Sequence, residues 1–165
     1  MPYLQSLQLD APSSVILDLL AHLPCLVALE TRYRLSRKIP APVRRSAPLS
    51  RLRELSVHVV HDRINGLWDW LPELIPYSSS LQSLTIHSRA KPGFCGAFSV
   101  SGHFLKRLGE LHRSSLKKIL FFNLEMAPRD IDFICTAFPL LEALSFSSGV
   151  GQVSASRSSR LPRLQ

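Results

Sequence analysis

Apolar residues return along this chain in one short phrase: an apolar residue, two variable ones, a Leu or Ile, one variable, then usually another apolar residue. It reads Leu4-Leu7-Leu9, Leu26-Leu29-Thr31, Leu52-Leu55-Val57, Leu81-Leu84-Ile86, Leu116-Ile119-Phe121 and Leu141-Leu144-Phe146, and a further copy begins at Leu161 and Leu164. Each phrase alternates at its centre, as a strand with one buried face must. Segments of the other period lie between the phrases. Ile16, Leu19, Leu20 and Leu23 fall at i, i+3, i+4 and i+7, as do Leu67, Trp70, Leu71 and Leu74, and again Ile131, Ile134, Cys135 and Phe138. That spacing predicts three amphipathic helices. A fourth is predicted over residues 101–112, with Phe104, Leu108 and Leu111 inward. Strand, connection, helix and turn thus recur every 20–35 residues. Such a unit cannot bury its own apolar faces, so it must be stacked on its neighbours.

Local punctuation agrees with these elements. Ser13 or Ser14 can cap the first helix, and Pro128 suits the first turn of the last one. Leu-Pro after the first helix and Phe-Pro after the last stop each just before the next phrase. Three stretches break the rhythm. Residues 34–50 hold Pro40, Pro42 and Pro48 without a helical stripe and read as an irregular basic loop. Residues 88–100, with Pro92, Gly93 and Gly96, read as an inserted loop, and the Ser/Gly-rich run 147–160 as a flexible one. The first phrase starts three residues after Met1 and the last is cut short at Gln165, without polar capping repeats. The whole of 1–165 therefore reads as a single repeat domain that is a fragment of a longer protein.

Composition changes this picture in two places. Three cysteines, Cys25, Cys95 and Cys135, with no C-x-x-C pair, argue against a disulfide framework and against a zinc site, and for a reducing compartment, cytoplasmic or nuclear. No stretch has the length and apolarity of a membrane span or the layout of a signal peptide. The net charge of +8 is not spread evenly. Arg32, Arg34, Arg37, Lys38, Arg44, Arg45, Arg51 and Arg53 follow one another with no acidic residue between, and elsewhere 12 basic and 12 acidic residues cancel. Such a run most often solvates a loop. The functional alternative is a contact with phosphates or an acidic protein through charge.

With its repeats laid out, the chain resembles the leucine-rich-repeat superfamily of the ribonuclease-inhibitor-like kind. Phe138-Pro-Leu-Leu-Glu-Ala-Leu-Ser-Phe146 is most similar to the degenerate repeats of fungal F-box proteins. The resemblance spans nearly the whole chain. It implies an α/β solenoid of about six repeats, with parallel strands on the concave face and helices on the convex face. In that family the repeats recruit a target and a separate F-box delivers it to a ubiquitin ligase. Two departures stand out. The Asn or Cys that follows each strand in the family is replaced by Pro12, Arg34, Val60, Arg89, Leu124 and Gly149, with Asn123 one residue early, so no asparagine ladder is expected. No F-box is present either, since Leu71-Pro72-Glu73-Leu74-Ile75 echoes the start of one only from inside a repeat.

Strand alternation then says where a partner would sit. The phrase leucines point inward, the residues between them outward, and equivalent residues of adjacent strands lie about 4.8 Å apart. Three outward rows follow: Ser6, Ala28, Glu54, Ser83, Lys118, Ala143; Gln8, Glu30, Ser56, Thr85, Leu120, Ser145; and Asp10, Arg32, His58, His87, Phe122, Ser147. The third carries the most binding chemistry, because Arg and aromatic residues are the usual anchors of protein interfaces. The candidate contact residues are Arg32, His58, His87 and Phe122, flanked by Glu30, Glu54, Thr85 and Lys118. Ordinary exposed strand residues would look much the same. Two adjacent histidines without a third ligand do not make a metal site. No catalytic motif is present: there is no Gly-rich phosphate loop, no G-x-S-x-G and no H-E-x-x-H. The expectation is a non-catalytic protein-interaction module without cofactor, metal, membrane or small-molecule substrate. The rival is a basic module that associates with nucleic acid through Arg32–Arg53, although only Tyr33 in that window could stack on a base.

Overall fold

A computed structural model describes residues 4–10, 22–33, 51–60, 64–74, 80–89, 98–148 and 151–156. The strands are β1 (Ser6–Leu9), β2 (Ala28–Tyr33), β3 (Glu54–Val60), β4 (Ser83–Arg89), β5 (Phe98–Ser99), β6 (Lys118–Glu125), β7 (Ala143–Ser148) and β8 (Gly151–Ser156). The described helices are α1 (Ile64–Leu74), α2 (Gly102–His112) and α3 (Pro128–Ala137). The chain is α/β. Its sheet runs β1-β2-β3-β4-β6-β7-β8, with β5 pairing β6 beside that path. All pairs from β1 to β7 are parallel, and β8 closes on β7 antiparallel.

Each of the six phrases supplies one strand. Leu29, Leu55, Leu84, Ile119 and Leu144 pair in register across the sheet, one to each neighbour, starting from Leu7. The inward row is the core. Leu26, Leu52, Leu81 and Leu116, which open the four middle phrases, are essentially without solvent contact, and so are Val57, Ile86 and Phe121. Leu7, Leu9 and Leu141, in the outer phrases, are only half-buried. One hydrogen-bond motif returns at each strand entry. The carbonyl one residue after the opening leucine accepts two successive amides of the next repeat: Gln5 from Val27 and Ala28, Val27 from Arg53 and Glu54, Arg53 from Gln82 and Ser83, Gln82 from Lys117 and Lys118, and Lys117 from Glu142 and Ala143, all at 2.7–3.1 Å. A repeated phrase therefore produces a repeated turn.

The helices cover the same face as the leucines. Leu67, Trp70, Leu71 and Leu74 of α1 are all buried, as the spacing predicts, and Trp68 is buried as well, its ring 5.2 Å from that of Phe104. Leu71-Pro72-Glu73-Leu74 is therefore part of a core helix. In α2, Ser101 caps the N-terminus by accepting from the Phe104 amide, and Phe104, Leu105 and Leu108 point inward. Pro128 opens α3 as expected. The stripe of α3 differs from expectation: Ile134 and Phe138 are buried, but Cys135 is exposed. Ala137 and Phe133 pack toward α2 instead, where Gly109 lets them approach to 3.4–3.6 Å of the point a Cβ would occupy. The predicted helix over Ile16–Leu23 and its Ser13 or Ser14 cap fall largely outside the described residues, as do the seventh phrase and the basic loop 34–50.

Two loop expectations need correction. The Ser/Gly-rich run 147–160 contains the end of β7 and all of β8, which pair from Ser148↔Gly151 outward to Ala143↔Ser156. Small side chains are weak strand formers by propensity, but a tight hairpin asks mainly for glycine next to the turn, and Gly149 and Gly151 supply it in sequence. The interval 88–100 likewise begins within β4, whose Ser88 and Arg89 are paired, and ends with β5.

Candidate functional site

The face of the sheet opposite the leucines is not covered by any described helix, and the predicted rows stand on it. Register places Ala28, Glu54, Ser83, Lys118 and Ala143 side by side, then Gln8, Glu30, Ser56, Thr85, Leu120 and Ser145, then Arg32, His58, His87 and Phe122. The third row stops at Phe122. Ser147 is not its next member, because β6 carries an irregularity after Leu120 and Ser147 pairs with Glu125. The cause is Asn123, whose φ of 59° is left-handed. Between the Leu120↔Ser145 and Glu125↔Ser147 pairs β6 has four residues and β7 one, and this offset resets the alternation, so that Phe121 and Leu124 both point into the core. Asparagine tolerates this conformation better than most residues. Its Nδ2 also donates to the Ser88 carbonyl at 2.9 Å, one strand away. A single asparagine thus serves a backbone acceptor at the place where no asparagine ladder was expected.

Side chains in the third row touch. The His58 and His87 rings stack with centroids 4.6 Å apart and planes 7° from parallel, and the His87 and Phe122 rings stack at 4.6 Å and 4°. In-register parallel strands impose this arrangement, since equivalent rings stand at nearly the stacking distance. At the other end Arg32 donates to Asp10 at 2.9 Å, and His58 Nε2 donates to Glu30 Oε1 at 2.9 Å. The same Glu30 oxygen accepts from Gln8 Nε2 at 3.2 Å. The Glu30 bond puts the His58 proton on Nε2 and leaves Nδ1 buried without a hydrogen-bond partner. Burial, the neighbouring His58 and the Arg89 charge together hold His87 below its ordinary pKa, against a smaller pull upward from Glu30. Across four strands the row passes from an ion pair to a hydrocarbon ring.

The other candidates are more dispersed. Glu54 and Lys118 are exposed in the first row, two strands apart, and Thr85 is half-buried between Ser56 and Leu120. None of the three joins the stack. Arg51 and Arg53 are exposed at the approach to β3, whereas Arg34, Arg37, Lys38, Arg44 and Arg45 lie outside the described residues. Asp10, which follows β1 directly, is a further member of the third row through its ion pair with Arg32. The signal for it was present, since Asp10 stands directly before Arg32 in the third row. Among the described residues no cluster of His, Cys, Asp or Glu could hold a metal ion. No described helix is long and apolar enough to cross a membrane. No protein-family model matches the chain. No curated protein and no solved structure is detectably similar to it.

Proposed function

We propose that this chain is a leucine-rich-repeat module that binds another protein through its open strand face, with the row Arg32, His58, His87 and Phe122 at the centre of the contact. The observation that carries this reading is the ring stack. It sets two imidazoles and a phenyl upright and in line on a face that no described helix covers, ending in the Arg32–Asp10 ion pair. Pre-ordered aromatic side chains lose little entropy on binding, which favours them as anchors. The strand-entry motif and the in-register leucines support the repeat assignment. By resemblance of its repeats, the module is the target-recruiting part of an F-box-type ubiquitin-ligase adaptor.

The test is affinity purification from cell extract with the intact chain and with an Arg32→Ala/Phe122→Ala double variant, each washed at low and at high salt. The expected result is a protein retained at high salt by the intact chain and lost by the double variant, with thermal stability unchanged. Equal retention by both would remove the row from the site. Recovery of nucleic acid alone, and only at low salt, would favour a charge-driven role for Arg32–Arg53 instead.

A further inference from the structure

The stack also has a protonation problem. Histidine is the side chain whose charge changes near neutral pH. His58 is fixed in the stack by its Nε2 bond to Glu30, and its Nδ1 is buried with no hydrogen-bond partner. On His87 an added proton would sit in a ring 4.6 Å from one imidazole and 4.6 Å from a phenyl, flat against both. The charged groups around the pair are few among the described residues. From β2 come Glu30, which bonds to His58, and Arg32, which is paired with Asp10 just after β1. From β4 comes Arg89, whose charge opposes a proton on His87, and β6 contributes only the apolar ring of Phe122. Among the described residues Glu30 is the one carboxylate hydrogen-bonded to the pair, and it bonds only the His58 ring.

We propose that the His58–His87–Phe122 stack is an acid-released latch on the open face, closed while His87 is neutral and opened when His87 takes a proton. Closed, it presents a continuous aromatic edge across three strands. Open, the His87 ring leaves Phe122 and moves toward water, where its charge is solvated, and the ordered anchor is lost. As a regulatory device this rests on the docking function proposed above, and it makes partner binding weaker in acid. The latch itself needs no partner.

The experiment is a nuclear magnetic resonance titration of the full chain alone, following the imidazole nitrogens and the Phe122 ring protons, which the His87 ring current displaces in the closed state. The expected result is that His87 titrates below the ordinary histidine range and that the Phe122 ring shifts collapse at the same midpoint. In His58→Gln the His87 midpoint should rise, because the neighbouring charge and part of the burial are removed. In His87→Phe, which keeps a stacked ring and no proton site, the Phe122 shifts should become independent of pH. The latch is overturned if Phe122 does not follow His87, or if the His87 midpoint is the same in His58→Gln. Either failure leaves the docking face untouched, and a chain that binds no protein but shows the coupled titration loses only the docking reading.

Discussion

At the scale of single residues, three side chains carry costs that can be measured. Thr31 takes the last apolar place of the second phrase, and its hydroxyl is buried with no hydrogen-bond partner. Replacing it with the isosteric Val removes the unpaired group, so Thr31→Val should raise stability by about 1 kcal/mol in a denaturant titration. Asn123 combines a left-handed backbone with a bond to Ser88. Asn123→Ala should lose both, costing about 2 kcal/mol, whereas Asn123→Gly keeps the backbone preference and should cost about half as much. Equal losses for the two would mean that the conformation carries no strain. His87 acts through pH. Its pKa is lowered in the folded chain, so its contribution to stability is fully present above the ordinary histidine value. It is lost as pH falls from there through the folded value, because the unfolded chain then binds more protons. His87→Phe should flatten the pH dependence of unfolding over that acid window.

The scale of elements shows how the phrase becomes a sheet and where sequence stops informing. Leu84 is fully buried in a central strand, and Leu84→Ala should cost about 2–5 kcal/mol. The half-buried Leu7 should cost clearly less when replaced in the same way, as equilibrium unfolding of the two variants would show. The six strands and their register were legible because period-two alternation admits one inward row and a slip of one residue would expose every leucine, and their parallel order was implied by the resemblance to leucine-rich repeats. The ring stack followed from the same register, as adjacency if not as contact. Other features were not legible. The β6 irregularity depends on one backbone torsion at Asn123, and an asparagine one residue early in the sequence says only that something differs there. The β8 hairpin is made of Ser, Ala, Gln and Val without an apolar face to betray it. Cys135 fits the helical period and Phe133 does not, yet it is Phe133, with Ala137, that approaches Gly109 of α2.

At the scale of the whole molecule, burial falls from the middle of the sheet toward β1, while β7 is closed by β8. Native-state amide exchange should therefore protect β3, β4 and β6 most strongly and β1 least. Uniform protection across the sheet would mean instead that it opens only as one cooperative unit, edge strand included. Charge is segregated as well. In sequence the excess of positive charge lies in Arg32–Arg53, while Glu30 and Glu54 stand on the open face of β2 and β3, and Leu120 and Phe122 form the apolar end on β6. A basic segment and an open strand face predict different partners, one held by salt-sensitive charge and one by desolvated anchors. The measurement that separates them is an amide chemical-shift footprint, on the intact chain, of a ligand selected from a random peptide display library at high salt. The expected footprint runs along the open face from β2 to β6, is centred on His58, His87 and Phe122, and is abolished by Arg32→Ala/Phe122→Ala. A footprint on the helical face, or one unchanged by that double substitution, would contradict the proposed docking face.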